Sequence, residues 1–151
     1  MEQKELPKVA FFIGEVPNHK ISAYHQACDL FLFSSKSETQ GIVLLEAMAA
    51  YLPVLAIHAT GVSDVVVNGE NGVLSSDSIT EWADNLISIL KNPAVFIKMR
   101  CSARNTAILY DEKRIANQIL ESYKYLKKSY EAEHWLMMHL NRTSYHINLG
   151  I

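Results

Sequence analysis

Short apolar runs alternate with stretches of helical spacing in the first half of the chain. None of these runs alternates polar with apolar residues, which favours strands covered on both faces, as in a parallel sheet. The four runs lie at residues 9–13, 29–33, 53–57 and 72–74. Helices are predicted between them at residues 19–28, 41–51 and 62–68. Strands alternating with helices predict an α/β fold with a parallel sheet of about four strands and flanking helices.

From residue 78 onward the apolar spacing is helical and predicts a helical C-terminus. Ser78 and Glu81 form a capping-box pattern, and Pro93 is well suited to the first turn of a second helix. A third helix is predicted to begin near Asp111. One apolar stripe on that helix consists of Ile115, Ile119, Tyr123, Leu126 and Tyr130. Residues 131–151 form a tail that is predicted to be partly helical.

The composition narrows the class of protein. The chain has 151 residues, 49% of them apolar and 20% charged, as is typical of a soluble globular domain. A net charge of −2 argues against nucleic acid as a partner. The polar N-terminus does not resemble a signal peptide, and Glu46 and Pro53 interrupt the longest apolar run, so no transmembrane segment is predicted. Cys28 and Cys101 lack metal-binding spacing and are interpreted as buried free thiols, which favours a reducing, cytoplasmic location.

The segment at residues 34–54, directly after the second predicted strand, is the most informative part of the chain. In parallel α/β sheets, ligands bind beyond the carboxyl ends of the strands. A helix beginning near Gly41 would present the backbone N–H groups of Gly41, Ile42 and Val43 at its positive end. Because glycine has no side chain, an anion such as a diphosphate could approach this backbone closely.

Two carboxylates bracket this predicted anion site. Glu46 lies one helical turn after Ile42 in an almost wholly apolar stretch, where an ionised group is costly unless it is hydrogen-bonded, so a ribose diol is a candidate ligand. Glu38 lies in the preceding loop and could accept hydrogen bonds from hydroxyls beyond the phosphates. Together the three features describe a site for a nucleotide-diphosphate sugar. The alternatives are that Glu38 is merely solvated and that Glu46 pairs with a basic side chain.

The order of residues in this segment resembles a known family. The pattern Ser-x-x-Glu-x-x-Gly-x-x-x-x-Glu-Ala-Met-Ala, followed by Leu-Pro-Val, is similar to the nucleotide-sugar-binding segment of the retaining GT-B glycosyltransferases of family 4. Residues 11–16, 24–35 and 61–72 extend the resemblance, which covers about residues 8–130. The sequence of residues 38–41, Glu-Thr-Gln-Gly, is most similar to that of members that glucosylate diacylglycerol lipids.

This resemblance implies a fold and an activity. The fold would be a partial Rossmann-like sheet, the C-terminal donor domain of a GT-B enzyme, with residues 1–130 as an incomplete donor domain. The activity of the intact enzyme would be glycosyl transfer from a UDP- or GDP-sugar with retention, without a bound metal or other cofactor. The location would be cytoplasmic, with the inner membrane face as an option for the intact enzyme.

The resemblance also implies a role for each site residue. Glu38 would be the catalytic-site carboxylate that contacts the donor sugar, while Glu46 would bind the ribose. The diphosphate would lie on the backbone of Gly41, Ile42 and Val43. The remaining donor-binding residues are Thr39 and Gln40, beside Glu38, and Gly14 and Val16, near the base.

Several departures from the family pattern carry expectations of their own. Tyr51 stands where the family usually has a glycine that ends the helix in a left-handed turn. The sequence contains neither the family's acceptor domain nor the first two donor-domain strands. The strand at residues 9–13 is therefore expected to move beside residues 29–33, or else the missing half or a second copy covers that edge. The isolated chain is expected to be inactive. The alternative is a non-catalytic nucleotide-sugar-binding or interaction module, as a truncated or split-gene product.

Overall fold

The computed structural model describes residues 10–145, and it describes side chains as far as residue 138. Helices and strands alternate in the first half and only helices follow. In chain order the elements are α1 (Asn18–Gln26), β1 (Phe31–Phe33), α2 (Ile42–Ala49), β2 (Val54–Ile57), α3 (Thr60–Ser63), β3 (Gly72–Ser75), α4 (Ile79–Lys91), α5 (Pro93–Leu109) and α6 (Glu112–Tyr145). The predicted α/β class and helical C-terminus are confirmed.

The strands form one parallel sheet in the order β1-β2-β3. Phe31 pairs with Val54, and Val54 pairs in turn with Gly72. The central strand β2 is buried over Val54, Leu55 and Ala56, as its unbroken apolar sequence predicted. Helices and connecting segments complete the core around it, whose buried members are Leu44, Met48, Val54, Ala56, Val62, Val65, Val66 and Ala103.

The predicted strand at residues 9–13 is not formed over the part that the structure describes. Residues 10–13 have no regular secondary structure, and Phe11 and Phe12 are 82% and 89% exposed. Apolar sequence alone is insufficient for a strand, because backbone N–H and C=O groups need a neighbouring strand to pair with. The expectation that this segment moves beside β1 is therefore wrong, and β1 is an edge of the three-stranded sheet.

A buried amide ties the sheet to α5. The side chain of Asn71, which is 1% exposed, accepts a hydrogen bond from Val67 N at 2.8 Å. Its Nδ2 donates to Val65 O at 3.0 Å and to Thr106 Oγ1 at 2.9 Å. These contacts satisfy a polar group that would otherwise be costly to bury, and they fix the turn that enters β3.

Cys28 and Cys101 are free thiols, as predicted, but the prediction that they are buried is wrong, because both are exposed. Cys28 follows α1, a helix without buried residues. On α5 the inward face carries Met99 and Ala103, which lie four residues apart, and Cys101 between them points to the other side of the helix. The cytoplasmic interpretation thus loses the support of buried thiols.

The chain divides into two compact units, residues 1–108 and 109–151. The first unit contains the sheet. The second consists mainly of α6, on which the predicted apolar stripe is exposed, with Tyr123, Leu126 and Tyr130 between 61% and 69% accessible. The proposed division at residue 130 stays a prediction. Among the described residues, none of the helices combines the length and the apolar character that crossing a bilayer requires.

Candidate functional site

The candidate site begins where the loop after β1 enters α2. Gly41 precedes the helix with a left-handed backbone, φ 66°. A Cβ on Gly41 would lie 2.6 Å from Val65 Cγ2 and 3.0 Å from Gly61 O. Glycine is therefore required here both by its backbone angle and by the lack of space, and α2 starts within one residue of the predicted position.

The Glu38 carboxylate lies against the backbone of its own loop. Glu38 Oε1 accepts hydrogen bonds from the N–H groups of Thr39 at 3.0 Å, Gln40 at 3.0 Å and Gly41 at 2.9 Å. These backbone bonds, that of Gln40 foremost and then that of Gly41, lower the pKa of Glu38 from its usual value. This arrangement was not predicted, and in it Glu38 binds the Gly41 N–H group that was expected to hold the diphosphate.

Two further N–H groups of the helix start remain for a ligand. Those of Leu44 and Leu45 already donate to Gly41 O at 3.0 and 3.1 Å. The N–H groups of Ile42 and Val43 lie in the first turn, where no acceptor exists within a helix. The donors that were expected to act together are therefore divided. The Gly41 N–H binds Glu38, whereas the N–H groups of Ile42 and Val43 have no acceptor in the described part of the chain.

Glu46 is exposed on the outer face of α2. The residues that α2 buries are Leu44, Ala47 and Met48, on the opposite side of the helix. The expectation that the apolar stretch surrounds Glu46 is wrong, because a helix directs successive residues to different faces and the core covers only one face of α2. Among the described residues Glu46 forms no ion pair, so the alternative of a basic partner gains no support. Its carboxylate is open to a ligand and shares a face with Ile42.

The other residues predicted to bind the donor make fewer contacts that define a site. Thr39 and Gln40 are exposed, and their backbone N–H groups hold Glu38. Gly14 has a left-handed φ of 71° with open space around it, and Val16 is half-buried just before α1. Their proximity to a nucleotide base stays a prediction.

Two contacts near the site have no local sequence signal. Gly61 N donates to Glu38 O at 3.3 Å, so α3 lies against the loop that precedes α2. Lys36 forms an ion pair with Asp77, which joins the loop after β1 to the loop after β3. Beside that ion pair, a mainly apolar pocket of about 220 Å³ is lined by Ser34, Ile57, Ser76, Asp77, Ser78, Ile79 and Trp82. In the described part of the chain, no group of three or more His, Cys, Asp or Glu side chains could hold a metal ion.

Comparison with protein families identifies the class of domain that carries this site. Residues 1–110 match the family described as "Glycosyl transferases group 1". The chain belongs to this family. The group 1 match contains every predicted site residue, from Gly14 to Glu46, and all three strands of the sheet.

Two relatives show what share of a longer glycosyltransferase this chain matches. The chain is 32% identical over 128 residues to D-inositol 3-phosphate glycosyltransferase of Rhodococcus jostii, covering 84% of this chain and 28% of that protein. It is 33% identical over 95 residues to alpha-monoglucosyldiacylglycerol synthase of Acholeplasma laidlawii, covering 63% and 24%. The chain therefore spans less than a third of the curated relatives it matches.

A solved structure supports the same fold. Anabaena Alr3699/HepE in complex with UDP and glucose superposes with a TM-score of 0.61 at 28% identity, over 68% of this chain and 29% of that one. The parallel sheet and flanking helices correspond to the C-terminal domain of GT-B glycosyltransferases. The predicted GT-B class is confirmed.

Proposed function

We propose that this chain is the donor-binding part of a retaining family 4 glycosyltransferase that uses a UDP- or GDP-sugar. The start of α2 carries this proposal. There the N–H groups of Ile42 and Val43, which have no acceptor among the described residues, lie on one helix with the exposed carboxylate of Glu46. A helix N-terminus favours an anion, and a carboxylate one turn away can accept hydrogen bonds from a diol.

The proposed roles follow from this arrangement. The diphosphate binds at Ile42 and Val43, where the helix N-terminus stabilises the negative charge that develops on the leaving group. Glu46 accepts hydrogen bonds from the ribose hydroxyls. Glu38 directs its second oxygen, Oε2, to the donor sugar while Oε1 stays on the loop backbone. The base lies near Gly14 and Val16. No metal or other cofactor is part of this proposal.

The rest of the reaction requires protein beyond this chain. We propose that the isolated chain does not turn over and that the unpaired edge of β1 is covered by the remaining half of such an enzyme or by a second copy of the chain. The activities that name the relatives suggest an inositol phosphate or a diacylglycerol as the acceptor class. A lipid acceptor would bring the intact enzyme to the cytoplasmic membrane face. Sedimentation or light scattering of the purified chain tests the self-association.

Nucleotide binding by the full chain tests the central proposal. Calorimetry with UDP and GDP is expected to detect one of them, and Glu46→Ala is expected to weaken that binding about tenfold or more, as loss of hydrogen bonds to a charged group does. Glu70→Ala, which removes another exposed glutamate in a turn away from α2, is the matched control. If the folded chain binds neither nucleotide, a non-catalytic interaction module becomes the better explanation.

A further inference from the structure

Gly61 packs directly on the peptide that joins Glu38 to Thr39. A Cβ at Gly61 would lie 2.6 Å from Glu38 O and 2.6 Å from the carbonyl carbon of Thr39. Both are backbone atoms, so no side-chain rotation could make room. The Gly61 N–H also donates to Glu38 O at 3.3 Å, which makes the contact a hydrogen bond as well as a close approach.

The contact requires glycine for a reason other than backbone angle. Of the described glycines, those with a left-handed φ are Gly14, Gly41 and Gly69, so Gly61 has a backbone that alanine could also adopt. Glycine within a helix is unfavourable by about 1 kcal/mol relative to alanine. What excludes the alanine Cβ at position 61 is therefore the nearness of the Glu38 loop.

The other end of the loop rests on the same short helix. The Cβ that Gly41 lacks would lie 3.0 Å from Gly61 O, so the backbones of positions 41 and 61 pack face to face. Gly61 is buried, and its neighbour Val62 is fully buried in the core. The loop from Glu38 to Gly41 is thereby held at both ends against a part of α3 that cannot move without disturbing the core.

We propose that Gly61 is a positioning residue, which holds the Glu38–Thr39 peptide so that the N–H groups of residues 39–41 converge on Glu38 Oε1 and direct the second carboxylate oxygen toward the donor. This proposal deepens the proposed function and rests on it where the donor is concerned. The geometry of the loop itself is independent of any ligand, so the two can be tested separately.

A pH titration of the full chain by NMR tests the positioning role. In the wild type, the amide signals of Thr39, Gln40 and Gly41 are expected to titrate together with a midpoint below the ordinary glutamate value. Gly61→Ala is expected to raise that midpoint and reduce the amplitude, because the displaced N–H groups no longer converge. Glu38→Gln is expected to abolish the titration, which assigns it to the Glu38 carboxylate.

Gly69→Ala is the matched control for the glycine substitution. Gly69 has a left-handed φ of 80° and no heavy atom within 4 Å of its missing Cβ, so this variant strains a turn without touching the loop. Its midpoint is expected to equal that of the wild type. A folded Gly61→Ala variant with an unchanged midpoint would overturn the proposal.

Wild-type hydrogen exchange decides the question if Gly61→Ala does not fold. We expect the same free energy of opening for the Gly61 amide and for the amides of residues 39–41, because the loop and Gly61 stabilise each other. Loop amides that exchange much faster than the Gly61 amide would contradict this. UDP affinity tests the role toward the donor separately. A several-fold loss of UDP affinity in Gly61→Ala supports that role. If the wild type binds no nucleotide while the midpoint still shifts, the positioning stands and the proposed function fails.

Discussion

The two ends of α2 use the same unusual backbone angle with different residues. Gly41, before the helix, has φ 66°, and Tyr51, after it, has φ 63°. At the first end, Val65 and Gly61 leave no space for a side chain. At the second, the tyrosine ring is 49% exposed, and the Arg104 guanidinium lies 5.5 Å from the ring centroid.

The hydrogen bonds at the Tyr51 end show how its left-handed residue is accommodated. After the helix, Tyr51 N donates to Met48 O and Leu52 N donates to Ala47 O, the pattern that a left-handed glycine normally completes. Arg104 also donates to Ala49 O at 2.7 Å. The Arg104 side chain thus supports the strained end of α2 at Tyr51. At the Gly41 end, which carries the candidate site, close packing against Val65 and Gly61 leaves room for glycine alone. Predictions at each end can test this difference.

The largest effect is expected for Gly41→Ala. The added Cβ meets Val65 Cγ2 at 2.6 Å and a left-handed backbone disfavours alanine, so we expect a loss of more than about 2 kcal/mol in unfolding free energy. Urea denaturation measures this loss. Gly14→Ala, which has a similar φ of 71° and open space, is the control and should lose only the smaller conformational part. Equal losses in both variants would mean that packing at Gly41 is unimportant.

A smaller effect is expected for Arg104→Ala. The substitution removes the hydrogen bond to Ala49 O and the contact with the Tyr51 ring, together worth about 1 kcal/mol at an exposed site. Thermal or urea unfolding measures the change. Arg104→Lys retains the charge but not the planar group, so it should recover only part of the loss. Full recovery by lysine would argue against stacking on the ring.

Tyr51→Gly is expected to change stability little, because relief of the left-handed strain offsets the lost contact with Arg104. In an Arg104→Ala background, that contact is already absent, so the same substitution should stabilise the chain by about 0.5–1 kcal/mol. A double-mutant cycle by urea denaturation measures the coupling. Destabilisation by Tyr51→Gly in both backgrounds would show that the tyrosine has a role beyond compensating its own strain.

The smallest effect is expected from the titration of Glu38. Backbone hydrogen bonds from Gln40 and Gly41 lower its pKa below the ordinary value of 4.5, so its contribution to stability is present above pH 4.5 and is lost as the pH falls through the lowered pKa. The difference in stability between the wild type and Glu38→Gln should therefore narrow below pH 4.5. The pKa of Glu81 is lowered as well, chiefly by Ser76, and that contribution is common to both proteins. A stability difference that widens at low pH would contradict the observed hydrogen bonds to Glu38 Oε1.

Features that depend on neighbouring residues could be predicted from the sequence. Ser78 Oγ accepts from Glu81 N at 3.4 Å, which is one half of the predicted capping box, while the Glu81 carboxylate binds Ser76 N instead of Ser78 N. Asn92 Oδ1 accepts from Val95 N at 3.3 Å, before the predicted proline start. Each of these caps involves residues within one helical turn, where spacing and stereochemistry are sufficient. The left-handed turn at Tyr51 was expected from the family resemblance instead, because a glycine usually stands at that position.

Features that depend on distant partners could not be predicted in this way. Residues 10–13 have the composition of a strand but pair with no strand in the part of the chain that the structure describes. The exposure of Glu46 follows from which face of α2 the core covers, and the contact of Gly61 with Glu38 joins residues far apart in the sequence. The hydrogen bonds that Glu38 accepts from its own loop were missed for a different reason. They are local, but the same residue also suited a ligand contact.

The exposed thiols of Cys28 and Cys101 determine how the chain should be handled in solution. Accessible free cysteines form intermolecular disulfides in air. A dimer that disperses on addition of dithiothreitol would report oxidation, whereas one that persists would report pairing through β1. The same two thiols accept maleimide dyes without any substitution, so each could carry a fluorescent label on the unit that contains the sheet.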